Sequence, residues 1–276
     1  MTKWNDKVKS LVYQGDFINL LISEKSNVTW QSIIYGVPRG VMGFAMRAAT
    51  NTLATSDNLK RWKKTRSDTC KMCFKPNTRP NKATLFHVLN HCPSFLGEQE
   101  RFRWRNNSVL SYMTLTIKEH LPDHIKVYAD LEGHKVNGGT IPQEMVVTSS
   151  LPDLVIVDSS TPVKTVYLFE LTVCFERTDN IQSAHQRKMD RYSALSADIE
   201  ERGYSCKNIP FEVGSRGHLT PDNKSILTII HKLCSIKTSF KKFYQNISKT
   251  SLLCSYAIYL SREDTWNNNT LLSPVK

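Results

Sequence analysis

The sequence predicts a mixed α/β protein with a sheet flanked by helices. Three observations carry that prediction. Two apolar runs, at about 153–158 and 165–174, are joined by the polar turn "SSTPVK". A long helical pattern at 181–202 follows and stops at Gly203, a residue suited to the left-handed C-cap position. A third strand-like run, 208–213, ends at "GSRG" and is followed by helical patterns at about 222–246 and 250–262. Strand pair, helix, strand and helices, in that order, read as packed α/β layers.

The upstream half is organised differently. Residues 1–30 alternate short apolar and polar runs and are weakly helical. "VPRGVMGFAMRAATNTLATSDNL" (37–59) contains a helical pattern at 40–52 and then a Thr/Ser/Asp turn. Basic "LKRWKKTR" (59–66) leads into a cysteine-rich loop at 67–93, and 95–121 looks helical. Residues 122–145 read as irregular, with "NGG" as a turn signal. The expected organisation is a basic, mainly helical segment (1–66), a metal knuckle (67–94) and an α/β domain (95–276).

Charge is distributed unevenly over the 276 residues. The formal net charge is +12, and residues 1–107 carry nearly all of it, with 18 Lys+Arg against 7 Asp+Glu. A basic front and a near-neutral body suit a protein that docks on a polyanion with one part and acts with another. The alternative is a solvated basic face with no partner. No window approaches the ~20 consecutive apolar residues of a membrane span. The polar start "MTKWNDKVKS" has no signal-peptide pattern. With seven cysteines, an odd number, a reducing compartment is expected rather than a disulfide framework.

Three of those cysteines cluster. "CKMCFKPNTRPNKATLFHVLNHC" spells C-x2-C-x13-H-x4-C, namely Cys70, Cys73, His87 and Cys92. Two thiolates from a tight turn, closed by an imidazole and a third thiolate, suit tetrahedral zinc with no open position, and so a structural site. His91 competes with His87 for the fourth place. On either side lie basic runs interleaved with tryptophan: Lys60, Arg61, Lys63, Lys64 and Arg66 around Trp62, then Arg101, Arg103 and Arg105 around Trp104. Cations neutralise phosphates and aromatic faces stack on unpaired bases. Alternatively, each tryptophan packs in a small core below the charges.

The apolar hairpin keeps two carboxylates. A symmetric turn between Thr161 and Pro162 sets Val157 opposite Val166 and Asp153 opposite Glu170. Opposed side chains have Cβ atoms ~4.5–5.5 Å apart. Two carboxylates that close require a proton or a cation between them. Oxygen ligands suit magnesium or manganese. Lys188 lies on the apolar stripe of the following helix, with Ile181, Ala184, Leu195 and Ile199, so it faces the sheet and wants a counter-charge. The alternative is a lysine that snorkels at the helix edge. Two acids, a divalent ion and a lysine together are the means of phosphodiester hydrolysis. Asp158, Glu176 and Asp190 are expected at the surface.

The ordered set "AMRAATNTLATSDNLKRW", C-x2-C…H-x4-C, "PD", "FELTV-x-FE", "HQRKMDRY" and "FEVGSRG" resembles the C-terminal region of non-LTR retrotransposon polyproteins. The similar type carries a zinc knuckle followed by a restriction-like endonuclease of the PD-(D/E)XK superfamily, and the resemblance covers roughly residues 30 to 262. It implies a restriction-endonuclease-like sheet, with Asp153 and Glu170 as the metal-binding acids, Lys188 as the displaced lysine and Tyr192 as a neighbouring site residue. Cys70, Cys73, His87 and Cys92 match the knuckle ligands. It also implies DNA as substrate, the element's RNA as a second partner, target nicking for insertion, and a nuclear or nucleocytoplasmic rather than secreted protein. Thr172 stands where the nuclease pattern has its lysine, Arg105-Asn106-Asn107 stands where relatives carry "RHN", and there is no "[FY]-x-DD" polymerase motif. The second reading is a DNA- or RNA-binding module on an inactive nuclease scaffold, or an element relic.

Overall fold

The computed structural model describes residues 6–7, 10–11, 15–23, 30–76, 78–264 and 266. Four strands form one mixed sheet in the order β1 (Ile125–Ala129), β2 (Leu154–Asp158), β3 (Thr165–Cys174) and β4 (Ser205–Gly214). The first two pairings are antiparallel and the last is parallel. Parallel pairing of β3 with β4 needs a crossover, and the connection carries the long helix Thr178–Glu201. Helices thus flank a mixed sheet, as the order of elements predicts.

In chain order the helices are α1 (Gly15–Ser23), α2 (Trp30–Ile34), α3 (Arg39–Ala49), α4 (Ser56–Arg61), α5 (Pro93–Leu96), α6 (Arg101–Lys118), α7 (Thr178–Glu201), α8 (Pro221–Leu233) and α9 (Phe240–Leu260). Side chains alternate between the faces of a strand, and the sheet is covered accordingly. Tyr167, Phe169, Leu171, Phe211 and Val213 face α6, α8 and α9, with Val109, Met113, Ile230 and Phe243 packed on them. Val155, Val157, Val166 and Leu168 face the other way, onto Tyr192, Leu195 and Ile199 of α7. No described helix is long and apolar enough to cross a membrane.

A further core joins the upstream half to the end of the chain. Val41, Phe44 and Ala48 of α3 pack with Leu85, Val88, Leu89 and Cys92, and with Leu252, Ile258 and Tyr259 of α9. The basic segment, the cysteine-rich stretch and the last helix therefore share buried apolar surface.

Three expectations are corrected. Residues 122–145 contain β1, in which Ile125, Val127 and Ala129 are buried while Lys126 is exposed. The helical patterns at 222–246 and 250–262 divide at 234–239 instead: Ser235 takes a positive φ of 50°, Ser239 caps α9 by accepting from the Lys242 N–H, and α9 then runs unbroken to Leu260. Glu176, expected at the surface, is fully buried.

Its partner is Arg216. The Arg216 Nε donates to Glu176 Oε2 at 3.0 Å, and the Arg216 N–H donates to Oε1 at 2.6 Å. The guanidinium lies over the rings of Phe17 and Phe175, 3.8 and 4.1 Å from their centroids. The indole N–H of Trp30 donates to the Arg216 carbonyl. The pair ties α1 and α2 to the end of the sheet. Gly214 permits it, since a Cβ there would lie 2.2 Å from Glu176 Oε1. Glu176→Ala leaves a buried guanidinium without its carboxylate and should cost about 3–5 kcal/mol in denaturant unfolding. A change under 1 kcal/mol would contradict this account of the junction.

Candidate functional site

The hairpin register matches the sequence expectation. Val157 pairs with Val166 and Leu154 with Phe169, so the next positions outward are Asp153 and Glu170. The regular ladder stops one pair short of them, and side chains replace it. The Asp153 N–H donates to Glu170 Oε2 at 3.1 Å, while the Leu171 N–H donates to Asp153 Oδ2 at 2.8 Å. Each carboxylate is thus fixed by the other strand's backbone.

Lys188 reaches the pair from above. On α7 it sits four residues from both Ala184 and Tyr192, both buried, and its Nζ lies 2.8 Å from Glu170 Oε1. Arg191, which sequence reasoning passed over, places its guanidinium 3.8 Å from the same oxygen while remaining largely exposed. Tyr192 is fully buried, and its hydroxyl donates to the Leu151 carbonyl at 3.3 Å. Burial, and then the charge of Glu170, push the Tyr192 phenol up.

The two acids are inequivalent. Burial first, and then the Glu170 charge, push the Asp153 carboxyl well above the usual range. Burial acts on Glu170 in the same sense, but the hydrogen bond with Asp153 and the Lys188 ammonium outweigh it and hold Glu170 below its ordinary value. Of the two, Asp153 is therefore the acid that takes up a proton more readily. Two oxygen donors that share one proton can hold a small hard cation in its place.

Farther along the same sheet face lies a third acid. Glu212 of β4 is opposite Thr172 of β3 in the parallel register. It is buried, and its Oε1 lies 3.1 Å from Nδ1 of His185 on α7. Sequence reasoning missed both residues. The available signals were an acid inside the apolar run "PFEVG" and a histidine three residues before Lys188.

Cys70, Cys73, His87 and Cys92 bring their ligand atoms within 4.8 Å of one another. The Cys70 and Cys92 sulfurs are 4.0 Å apart, and Cys73 Sγ is 3.4 Å from His87 Nε2. Tetrahedral zinc with Zn–S bonds of about 2.3 Å needs S···S edges of roughly 3.8 Å, so the group can bind a metal such as zinc. A π-helical turn at His87–His91 makes this possible. Residues five apart diverge on an α-helix of 3.6 residues per turn, and the i→i+5 winding brings His87 and Cys92 back to one side. His91, the competing ligand, is exposed and stacks on Phe86. The contact with Cys92 pulls the Cys70 thiol down to about 3, and the same contact drives the Cys92 thiol up.

The basic residues divide. Lys60, Arg61, Lys63, Lys64, Arg66 and Arg103 are exposed, with Lys60 paired to Asp68 and Arg103 to Glu100. Arg101 and Arg105 are corrections to the expected phosphate-facing set, because both are buried. Arg101 donates to the carbonyls of Ser261 and Asp264, and Arg105 donates to Ser255 Oγ and the Val173 carbonyl. In "RFRWR" the first and last arginines are four apart and share a helix face, which here is the inner one. Trp104 packs edge-on against Trp266, and Trp62 is partly exposed. In comparison with known proteins, no family model matches the chain and no curated protein matches it.

Proposed function

We propose that the chain is a metal-dependent DNA endonuclease with a restriction-like core and a zinc-stiffened basic front. One observation carries the reading: Asp153, Glu170 and Lys188 converge where two strands meet a helix, although the surrounding face is apolar. A binding module has no use for such a set. Burying an ion pair against the sheet stabilises little, because desolvation offsets the Coulomb gain.

Asp153 and Glu170 would hold magnesium or manganese, which when bound supplies charge stabilisation and acidifies water. The chain's own groups do the rest. Lys188, anchored on Glu170, orients the attacking water and steadies negative charge on the phosphate oxygens. The carboxylates receive the water's proton. Arg191, exposed beside Glu170, would meet the phosphate from the solvent side. Tyr192 holds the segment before Asp153 through the Leu151 carbonyl. The product is a nicked strand, consistent with the retrotransposon resemblance and with a nuclear site of action.

Lys60, Arg61, Lys63, Lys64, Arg66 and Arg103 would neutralise DNA backbone phosphates, with the element's RNA as a second ligand of the same surface. Replacing Lys63 and Lys64 together by alanine should weaken duplex binding regardless of sequence and lower the slope of log K against log salt by ~2. An unchanged slope would place the DNA elsewhere.

The test of function is nicking of supercoiled plasmid by the zinc-loaded chain with magnesium, with manganese and with neither added, beside Asp153→Asn. Cutting that needs the divalent ion and disappears in the variant supports the nuclease. A folded chain that binds DNA but never cuts would instead favour the binding module.

A further inference from the structure

The His185–Glu212 pair has a place in the same chemistry, and its role rests on the nuclease reading. Glu212 and Thr172 are register partners on adjacent parallel strands, so their side chains leave the same sheet face, which is also the face of Glu170. Thr172 is two residues beyond Glu170, and its hydroxyl is buried with no hydrogen-bond partner. On α7, His185 and Lys188 are three apart, a spacing that sets Cβ atoms ~5–6 Å apart on one helix face. Lys188 sits on Glu170, and His185 sits on Glu212 at 3.1 Å. Two contacts from α7 to a carboxyl group therefore stand side by side, one helical turn apart.

We propose that His185 is the proton donor to the leaving oxygen and that Glu212 is the residue that positions it. In that role His185 acts as an imidazolium, its Nδ1 donating to the Glu212 carboxylate and its Nε2 carrying the proton to be given up. The ring is half exposed, so a ligand can reach it from solvent. In an in-line displacement the attacking and leaving oxygens lie on opposite sides of phosphorus. A helical turn between Lys188 and His185 spans a phosphoryl group, with the water on the Lys188 side and the leaving oxygen on the His185 side. The water oxygen forms the new P–O bond and its proton passes to the Asp153–Glu170 pair. The bond from phosphorus to the leaving oxygen breaks, its electron pair stays on that oxygen, and His185 Nε2 supplies the proton. Solvent then returns a proton to His185 and removes one from the carboxylates. Burial pushes the Glu212 carboxyl up and the contact with His185 opposes that rise, which suits an acid that holds a histidine.

The experiment uses the full zinc-loaded chain and a synthetic duplex. The wild-type protein first maps a phosphodiester that it cuts. A second duplex carries sulfur in place of the leaving oxygen there, since a thiolate departs without a proton. His185→Ala should slow cutting of the oxygen duplex by ~100-fold or more, yet cut the sulfur duplex within about 5-fold of wild type. Glu212→Gln should show the same pattern with smaller losses. Binding of uncut duplex with zinc in place and no magnesium or manganese added should be unchanged in both. Equal losses on the two duplexes, no loss on either, or weakened binding parallel to the lost cutting would each overturn the proposal while leaving the nuclease standing. A wild-type chain that cuts neither duplex overturns both.

Discussion

Removing zinc from the chain should unfold the region around Cys70–Cys92 and loosen the packing beyond it. Structural zinc contributes about 10–16 kcal/mol of apparent binding free energy in small zinc domains, comparable to the ~5–15 kcal/mol that stabilises a whole domain. The cysteine-rich stretch has few apolar residues of its own, and Leu85, Val88 and Leu89 are buried only because they pack against α3 and α9. Without the ion, thiols crowd within 4.8 Å of one another and of an imidazole. A zinc-selective chelator should therefore release one equivalent of metal and lower the unfolding temperature by many degrees. Cys73→Ser and His87→Ala should each lose the metal, and His91→Ala should keep it. Retention of zinc by His87→Ala, with loss from His91→Ala, would reverse the ligand assignment.

Asp153→Asn should abolish nicking and, in the zinc-loaded chain with no magnesium or manganese added, make the protein more stable. The first effect follows from removing one of the two acids proposed to hold the divalent ion. The second follows from the raised carboxyl of Asp153, where burial and then the Glu170 charge disfavour the ionised form. Below about pH 4 the group is protonated in both folded and unfolded chains and contributes nothing to pH dependence. As pH rises past that point the unfolded chain releases the proton while the native protein retains it, so stability falls with pH up to the raised native value. The amide has no such proton to lose and can still donate to Glu170. The variant's advantage should grow through that window to on the order of 1 kcal/mol near neutrality. A variant equally stable or weaker at neutral pH would mean that the pair is not strained.

Much of this site was legible from the sequence because period-two and period-3.6 patterns fix which face a side chain occupies. The turn at Thr161–Pro162 fixed the hairpin register, and the stripe through Ala184, Tyr192 and Leu195 placed Lys188 over the sheet. The same periodicity would have turned Arg101 and Arg105 inward, but the run of charges in "RFRWR" suggested a surface. Glu176 gave no local sign of burial, because its partner Arg216 lies forty residues on. β1 is only five residues long, in a stretch rich in charges and turns. His185 and Glu212 meet only when α7 crosses back over the parallel strands, a long-range event that no window of sequence contains.

The central claim is that Asp153 and Glu170 form a divalent-cation site completed by Lys188, and manganese binding tests it most directly. Unfolding of the zinc-loaded chain would be followed as manganese is added, for wild type and for Asp153→Asn. A ligand that binds only the native state stabilises it by RT ln(1 + [L]/Kd), about 2.7 kcal/mol at a hundredfold excess over Kd. The account predicts a saturable rise in the wild-type unfolding temperature that is absent from Asp153→Asn. Equal rises in both proteins, or none in either, would contradict it.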